Sequence, residues 1–552
     1  MTSQRLIVLF DGTSNTPKDR TNVWRTCQLL AEKDGGGIPQ KSRYIQGVGT
    51  EFSQIVTGSI FGNGVARKIR EGYEWLVENY QDGAEIYVFG FSRGAFSARS
   101  LVQLLANCGL ATEATLKTWD AEDIFDRYEA ISRQDSEVIR PLWRLRYWQR
   151  HPAEAPPGWT PDAEETLLLD NAKVREVKIR MAGLWDTVGA IGADALENRD
   201  SRNAKSAAHN VRPTKAQEYG YHALAIDEHR PMFEATLWRT FIKTGDATKA
   251  VADYAQYYEQ RWFIGAHSDV GGGYGDNDLP DLSLQWMMSK AAALGLAFTH
   301  TVEPRAGAWH DEIHDSFKAF AGGVLTIWNE VIPGEQRNYR WIERSSKPFT
   351  TQHGDEGHLY SINETIDDSV LLRLIEDSTY RPPGLIAYLR KRQAADASYL
   401  GNLLSKFIPA SDDPQTILAR IFVQRTQRIF ANHYWNATGV QLRQGQKYRL
   451  KVVKELGEPL RDAEYLSPTI EGQDWKSAAH KTAAFLHGKR HDEARWFALI
   501  GTVDKEQPWV IKDGEEFTAA AAGQLVCYFN DVQLEWFYGN NSGWVVLEVE
   551  SV

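Results

Sequence analysis

The sequence predicts an α/β protein, with a doubly wound parallel sheet carrying helical insertions, followed by a C-terminal β-sandwich. Three observations lead there. Continuous apolar runs alternate with helix-spaced segments over residues 5–107. A stretch rich in Trp, Arg, Glu and Pro at 110–172 interrupts that alternation before it resumes. After about residue 410 the chain changes to short alternating or β-branched segments split by turn residues.

Leu6-Ile7-Val8-Leu9-Phe10 is an apolar run closed by Asp11-Gly12-Thr13, the pattern of a strand buried on both faces. A helix-like stretch follows from Asn22 to about Glu32, then a short strand, Tyr44-Ile45-Gln46-Gly47-Val48-Gly49-Thr50, that ends in glycines. Between Gly64 and Tyr80, Val65, Ile69, Tyr73, Leu76 and Tyr80 recur at helical spacing and leave one wet face. Ile86-Tyr87-Val88-Phe89 is the next buried strand. Residues 93–107 form a helix with Phe96, Leu101, Leu104 and Leu105 inward and Gly109 as its stop. Such alternation builds a doubly wound sheet. The 110–172 insertion, with Pro152, Pro156, Pro157 and Pro161, is expected over the sheet edge where an active site would lie, as a lid or acyl-binding cap. The sheet resumes at Val177–Leu184 and Arg261–Gly265. Helices near 283–295 and 369–394 finish the layer, and Tyr380-Arg381-Pro382-Pro383-Gly384 marks a turn. Strands at Tyr448–Val453, Trp496–Val503, Trp509–Ile511, Gln524–Phe529 and Trp544–Val549, with turn signals at Lys512-Asp513-Gly514 and Gly539-Asn540-Asn541, read as a separate sandwich. The expected domains are 1–408 and 409–552.

A length of 552 residues suits two or three domains at roughly 100–200 residues each. The 42% hydrophobic and 24% charged content is ordinary for a globular protein. The net charge of −11 argues against a nucleic-acid partner bound by bulk charge, but leaves membranes open to docking through apolar loops. Cys27, Cys108 and Cys527 are far apart and show no CxxC spacing, which argues against a disulfide framework or structural zinc. The N-terminal residues show no basic and then long apolar segment, so no Sec signal is expected. No run approaches the roughly 18 apolar residues of a membrane span. The expectation is synthesis in the cytoplasm and, for an exported protein, a route that needs no such signal. Most of the 19 tryptophans are expected to pack in cores, and an aromatic lid or ligand platform is the alternative.

Gly90-Phe91-Ser92-Arg93-Gly94 has the form of a nucleophile elbow, with a buried strand before it and a helix after. Small flanking residues are needed because the turn is strained and backbones pass closely. An elbow serine needs a base, and the base needs an orienting acid. In this arrangement they follow in the order Ser, Asp or Glu, His at later strand ends. Asp186 follows the strand ending at Trp185, and His267 follows Trp262-Phe263-Ile264-Gly265-Ala266. Ser92 is thus the expected nucleophile of a serine carboxylester hydrolase, His267 its base and Asp186 the acid, with Asp269 the competing acid. The oxyanion calls for backbone N–H donors, expected from Arg93 and from Gly12. Asp11 reads as a satisfied turn carboxylate. His353-Gly354-Asp355-Glu356-Gly357-His358 fits no zinc spacing and is expected to be a solvated loop. No cofactor is expected for catalysis.

Together Phe10-Asp11-Gly12-Thr13, Thr21-Asn22-Val23, Gly47-Val48-Gly49-Thr50, Gly90–Phe96, Leu184-Trp185-Asp186-Thr187-Val188-Gly189 and Gly265–Tyr274 resemble an α/β-hydrolase family. It is the one that includes the first class of type VI secretion lipase effectors. Weaker matches lie at Ala223–Glu228 and Leu282–Met287, and the likeness covers about residues 5–395. The resemblance implies a Ser–Asp–His triad on Ser92, Asp186 and His267. For secreted members it implies phospholipase activity on bacterial membranes, with a secretion apparatus and an immunity protein as partners. The tail, Gly523–Val532 and then Tyr538-Gly539-Asn540-Asn541-Ser542-Gly543, resembles the end of the calcium-dependent galactose-binding bacterial lectin fold. That likeness implies calcium and sugar at Asp531, Asn540 and Asn541, and oxygen ligands suit calcium. The stretch between Asp531 and Tyr538 is longer than in the lectins, and a hydrophobic residue stands where a threonine ligand is expected. A sandwich without metal is the alternative.

The leading expectation is therefore a phospholipase A or lipase whose tail binds glycan, a membrane surface or a delivery partner. The alternatives are an esterase for acylated carbohydrate with a carbohydrate-binding tail, and a non-catalytic glycan- or membrane-binding protein.

Overall fold

The structure, a computed structural model, describes residues 3–47, 60–132, 139–188, 212–230, 233–243, 252–314, 316, 340–343, 347–350, 356–377, 380–407, 426–462, 465–467, 469–473 and 488–551. Packing divides the chain into two compact units. The first comprises residues 1–226, 232–314 and 343–367; the second comprises 227–231, 315–342 and 368–552.

The first unit begins β1 (Arg5–Phe10), α1 (Asn22–Leu29), β2 (Gln40–Ile45), α2 (Ile60–Asn79), β3 (Glu85–Phe91) and α3 (Arg93–Cys108). The insertion follows as β4 (Leu110–Ala111), α4 (Glu113–Leu116), α5 (Ala121–Ser132), α6 (Leu142–Arg150), α7 (Ala163–Leu169) and β5 (Val174–Arg175). The unit is completed by β6 (Ile179–Trp185), β7 (Gln217–Ala225), β8 (Arg239–Ile242), β9 (Tyr258–Phe263), α8 (His267–Gly271), α9 (Asp278–Ala293), β10 (Lys347–Thr350), β11 (Glu356–Ser361) and β12 (Glu364–Ile366).

Seven strands form one sheet in the order β12-β9-β7-β6-β3-β1-β2, and every pairing in it is parallel. Successive side chains of a strand face opposite sides, and β1 uses both. Leu6, Val8 and Phe10 join Ile69, Tyr73 and Leu76 of α2 and Leu101, Leu104 and Leu105 of α3. Ile7 and Leu9 join Val23 and Leu29 of α1 and Leu284, Met287 and Ala291 of α9. Each such side chain, fully buried, contributes about 1.5–3 kcal/mol, so the apolar run read from the sequence is what a strand covered on both faces requires.

Two strands of this sheet were not among those expected from the sequence. β7 reads Gln-Glu-Tyr-Gly-Tyr-His-Ala-Leu-Ala, and its buried polar members Gln217 and His222 are held by hydrogen bonds. β12 has only three residues. The helical stretch expected at 369–394 forms two helices, separated at the turn expected at Tyr380–Gly384.

The insertion departs from expectation. β4 and β5 pair antiparallel, Leu110 opposite Arg175 and Ala111 opposite Val174, and tie its two ends together just after α3. At 1.5 Å rise per residue, α3 places that closure roughly 24 Å from Ser92. Ala121, Ile124, Phe125 and Tyr128 of α5 bury themselves in the core shared with α2 and α3, while Leu142, Leu145 and Leu168 of α6 and α7 pack on Val174. The described insertion is thus a buttress at the far end of α3, not a cover over Ser92. A second correction concerns 353–358. Residues 351–355 lie outside the described residues, and His358 belongs to β11, which pairs with β8 and β10 in a three-stranded antiparallel sheet. Val48-Gly49-Thr50 also lies outside the described residues.

The second unit carries α10 (Asp368–Glu376), α11 (Pro383–Ala395) and α12 (Tyr399–Leu404), then β13 (Thr426–Phe430), β14 (Asn436–Leu442), β15 (Lys447–Asp462), β16 (Tyr465–Leu466), β17 (Leu499–Val503), β18 (Glu506–Val510), β19 (Glu516–Thr518), β20 (Gly523–Phe529) and β21 (Asn541–Ser551). The boundary expected at 408/409 lies outside the described residues. The helices before it group with the later strands, and α11 packs against β14. The strands form two antiparallel sheets, β13-β21-β15-β16 with β19 on β15, and β14-β20-β17-β18. Ile429, Leu450 and Leu547 of one sheet and Leu499, Leu525, Cys527 and Phe529 of the other share one apolar cluster.

Candidate active site

The carboxyl ends of β3, β6, β7 and β9 lie side by side. Phe91 is opposite Trp185, Trp185 is opposite Ala223, and Ala225 is opposite Phe263. Ser92, Asp186 and His267 therefore leave the sheet on one edge.

Ser92 joins β3 to α3 with φ 58° and ψ −125°, a left-handed conformation that costs a residue bearing a Cβ and marks a strained functional turn. The turn closes because its neighbours lack side chains. A Cβ on Gly90 would lie 2.6 Å from Ala95 Cα, and one on Gly94 would overlap the Phe10 carbonyl oxygen. The Ser92 N–H donates to the Trp185 carbonyl at 3.0 Å, which pins the serine to the strand that carries Asp186.

Asp186 also has positive φ, 39°, and is fully buried. Its N–H donates to Ala223 O at 2.7 Å. Its Oδ1 accepts from the Ala225 N–H at 3.1 Å, and its Oδ2 accepts from His267 Nδ1 at 2.6 Å. The neighbouring Thr187 N–H donates to Nε2 of the buried His222 at 3.0 Å, so β7 holds the Asp186 turn from a second side. His267 opens α8 and is 4% exposed. Its ring lies between those of Phe91, at 4.6 Å, and Phe233, at 4.9 Å.

The structure separates the two candidate acids. Asp269 is not paired with His267. Its Oδ2 accepts from the Ala266 N–H (2.9 Å) and the His314 N–H (3.1 Å), and its Oδ1 from His314 Nδ1 (2.6 Å). Burial pushes the Asp269 carboxyl up to about 6 against the pull of those donors.

Asp11 is a buried carboxylate that accepts from Tyr44 Oη (2.6 Å), Thr21 Oγ1 (2.7 Å) and the Gly12 N–H (2.8 Å). Burial raises it to about 6. The expectation that the Gly12 N–H faces an oxyanion is corrected by that bond, since the N–H turns onto the adjacent carboxylate. Gly12 still borders the nucleophile, because a Cβ there would lie 3.2 Å from Ser92 Cβ. Arg93 stands at the first position of α3, where the N–H belongs to the open end of the helix. Burial lowers its guanidinium to about 10.

In the second unit, Asp531 and Asn541 meet: Asn541 Nδ2 donates to Asp531 Oδ2 at 2.9 Å. Asn540 Nδ2 donates instead to Asp462 Oδ1 at 3.2 Å, and Asp462 Oδ2 accepts from Trp496 Nε1 at 2.7 Å. Burial, then the nearby Asp462, pushes Asp531 up to about 7. The Asn541 side-chain oxygen is buried without a hydrogen-bond partner among the described residues. Two carboxylates and two amides, one of whose oxygens is the orphaned one, make an oxygen-rich cluster of the kind that suits a hard cation such as calcium.

Sequence reading missed His222, Phe233, His314 and Asp462. None stands in a motif read from the sequence, and each acts across a long sequence separation.

The parallel sheet, the elbow and the aspartate–histidine pair at its edge define the first unit as an α/β-hydrolase-like domain. Residues 4–290 match the family described as the type VI secretion system phospholipase effector Tle1-like catalytic domain, and the chain belongs to that family. An uncharacterized protein of Saccharomyces cerevisiae is 24% identical over 249 residues, covering 42% of this chain and 32% of its own. The chain thus spans about a third of that relative's length. Among solved structures, an uncharacterized protein from Pseudomonas aeruginosa is similar at TM-score 0.30 and 16% identity, covering 53% of this chain and 46% of that one. The Tle1 effector bound to the VgrG spike of the type 6 secretion system is similar at TM-score 0.27 and 13% identity, covering 66% and 94%. Among the described residues no helix is long and apolar enough to cross a membrane.

Proposed function

We propose that the protein is a serine carboxylester hydrolase acting on phospholipid, delivered by a type VI secretion apparatus through its spike. The observation that carries this reading is the 2.6 Å bond from His267 Nδ1 to Asp186 Oδ2, on the same sheet edge as the strained Ser92 turn. Held through Nδ1, the imidazole presents Nε2 as the base. Ser92 Oγ attacks the acyl carbonyl and passes its proton to His267, and Asp186 stabilises the resulting imidazolium. The Arg93 N–H supports the oxyanion. His267 then returns the proton to the leaving alcohol, and a water that it activates hydrolyses the acyl-enzyme. Phe233, against the His267 ring, gives the acyl chain an apolar approach beside that residue. Family membership supports phospholipid over other acyl esters.

The second unit is read as a β-sandwich that engages a surface or a partner. Asp531, Asp462, Asn540 and Asn541 would hold calcium there, and the ion would neutralise the two adjacent carboxylates.

The test is fatty-acid release from phospholipid vesicles by the wild type and Ser92→Ala. Release is expected from the wild type alone. Equal release by the mutant refutes the nucleophile. Cleavage of short activated esters without vesicle hydrolysis refutes the lipid reading.

A further inference from the structure

The first unit contains a second carboxylate–imidazole pair that no step of the proposed reaction uses. Asp269 and His314 meet at 2.6 Å through Oδ1 and Nδ1, the same length as the Asp186–His267 bond. The Asp269 side chain is fully buried, and that of His314 is 32% exposed. The His314 ring stacks on Tyr274 at 4.1 Å between centroids and 21° between planes, and its Nε2 lies 3.6 Å from Asp276 Oδ2.

The pair sits at the base of the turn that carries His267. Asp269 is the third residue of α8, and its carboxylate reaches back to the Ala266 N–H just before His267, which closes the first turn of that helix on itself. α8 has only five residues, too short to hold its shape by its own hydrogen bonds. His314 adds two donors to the same carboxylate, one from its backbone and one from its ring. The chain at His314 thus clamps the helix turn through Asp269, while Asp186 fixes the ring of His267.

We propose that His314 is a positioning residue for hydrolysis, holding the backbone of His267 in register with Ser92 by clamping Asp269. The proposal rests on the assignment of Ser92, Asp186 and His267 as the catalytic set. Displacements on the order of 1 Å between reacting groups cost up to about a hundredfold in rate, so a turn that drifts is felt in kcat while substrate binding is largely kept. The charged and titratable groups facing the pair are Asp276 and Tyr274 on His314, and His267 two positions before Asp269. Without the His314 ring donor, the backbone N–H remaining, the buried Asp269 carboxyl takes up its proton at higher pH, and the turn loosens with it.

The experiment measures pH profiles of kcat and kcat/KM on a soluble short-chain ester, with the full chain, for wild type, His314→Ala, His314→Asn and Ser92→Ala. Asn places an amide donor near the Nδ1 position of the imidazole. His314→Ala is expected to lower kcat about tenfold with KM within about twofold, and to move the acid limb to higher pH. His314→Asn is expected to restore most of kcat and return the acid limb. An unchanged kcat and acid limb in His314→Ala overturns the proposal. So does a loss that His314→Asn does not relieve, accompanied by a lowered thermal midpoint, because that is a general packing defect. Turnover retained by Ser92→Ala overturns the catalytic reading itself, a result distinguishable from the failure of His314 alone.

Discussion

At the residue scale, the candidate site is a set of carboxylates sorted by their donors. Asp186 accepts one imidazole and one backbone N–H, Asp269 accepts the other imidazole, and Asp11 takes a phenol, a hydroxyl and an amide. Replacing Asp186 with Asn leaves the side chain's volume and the bond from Ala225 in place, but removes the acceptor that fixes the His267 tautomer. A fall in kcat of about 10⁴-fold is expected, with a thermal midpoint close to wild type, checked by steady-state kinetics beside calorimetry. Phe233→Ala opens one face of His267 and is expected to raise KM for long-chain more than short-chain esters, measured across an acyl-length series. Ser92, Asp186 and His267 were legible in the sequence because each ends or follows a strand with a strong local pattern. Asp186 was preferred to Asp269 on the same ground, whereas the partner that Asp269 takes instead, His314, stands 45 positions further on and left no local sign.

At the element scale, the parallel sheet was legible where strands are buried on both faces, as in β1, β3 and β6. It was lost where burial is secured by side-chain hydrogen bonds, as in β7, or where the strand is three residues long, as in β12. The insertion was legible as an insertion, but its location was not. Nothing local in residues 110–172 says which end of α3 they return to; the β4–β5 pairing decides that. A consequence is testable. Trp143 and Tyr147, 51% and 42% exposed on α6, sit on a buttress rather than a lid. Their replacement by Ala is expected to leave kcat/KM on a soluble ester within about twofold, whereas Phe125→Ala in α5 is expected to cost about 3–5 kcal/mol in denaturant stability.

At the scale of the whole molecule, three buried carboxyls, Asp11, Asp269 and Asp531, are raised to about 6, 6 and 7. Each is protonated more readily in the folded state than in the unfolded chain. Their favourable contribution is therefore complete below about pH 4 and is lost as pH rises through 6 to 7. Chemical denaturation between pH 4 and 8 is expected to show part of that decline, and Asp531→Asn to flatten its upper portion. On the calcium reading proposed above the ion competes with the proton at Asp531, so adding it at pH 7.5 is expected to raise the thermal midpoint of the wild type and not of Asp531→Asn. A midpoint indifferent to calcium and to chelator would remove the ion from the second unit. The resemblance to the lectin tail singled out Asp531, Asn540 and Asn541 as candidates, whereas Asp462 lies at the end of β15 and meets Asn540 only through folding.

The last strand of the parallel sheet bears on how the protein is made. β12 supplies the outer neighbour of β9, Glu364 accepts from the indole of Trp262 at 2.8 Å, and Gln260 donates to the Ile362 carbonyl at 2.7 Å. In a chain still emerging from the ribosome, β9 waits with an unpaired edge until all the residues between Phe263 and Glu364 have been synthesised. An edge of that kind recruits other strands. The nascent protein is therefore exposed to aggregation during the interval between those two strands, and a chaperone covering that edge would act there.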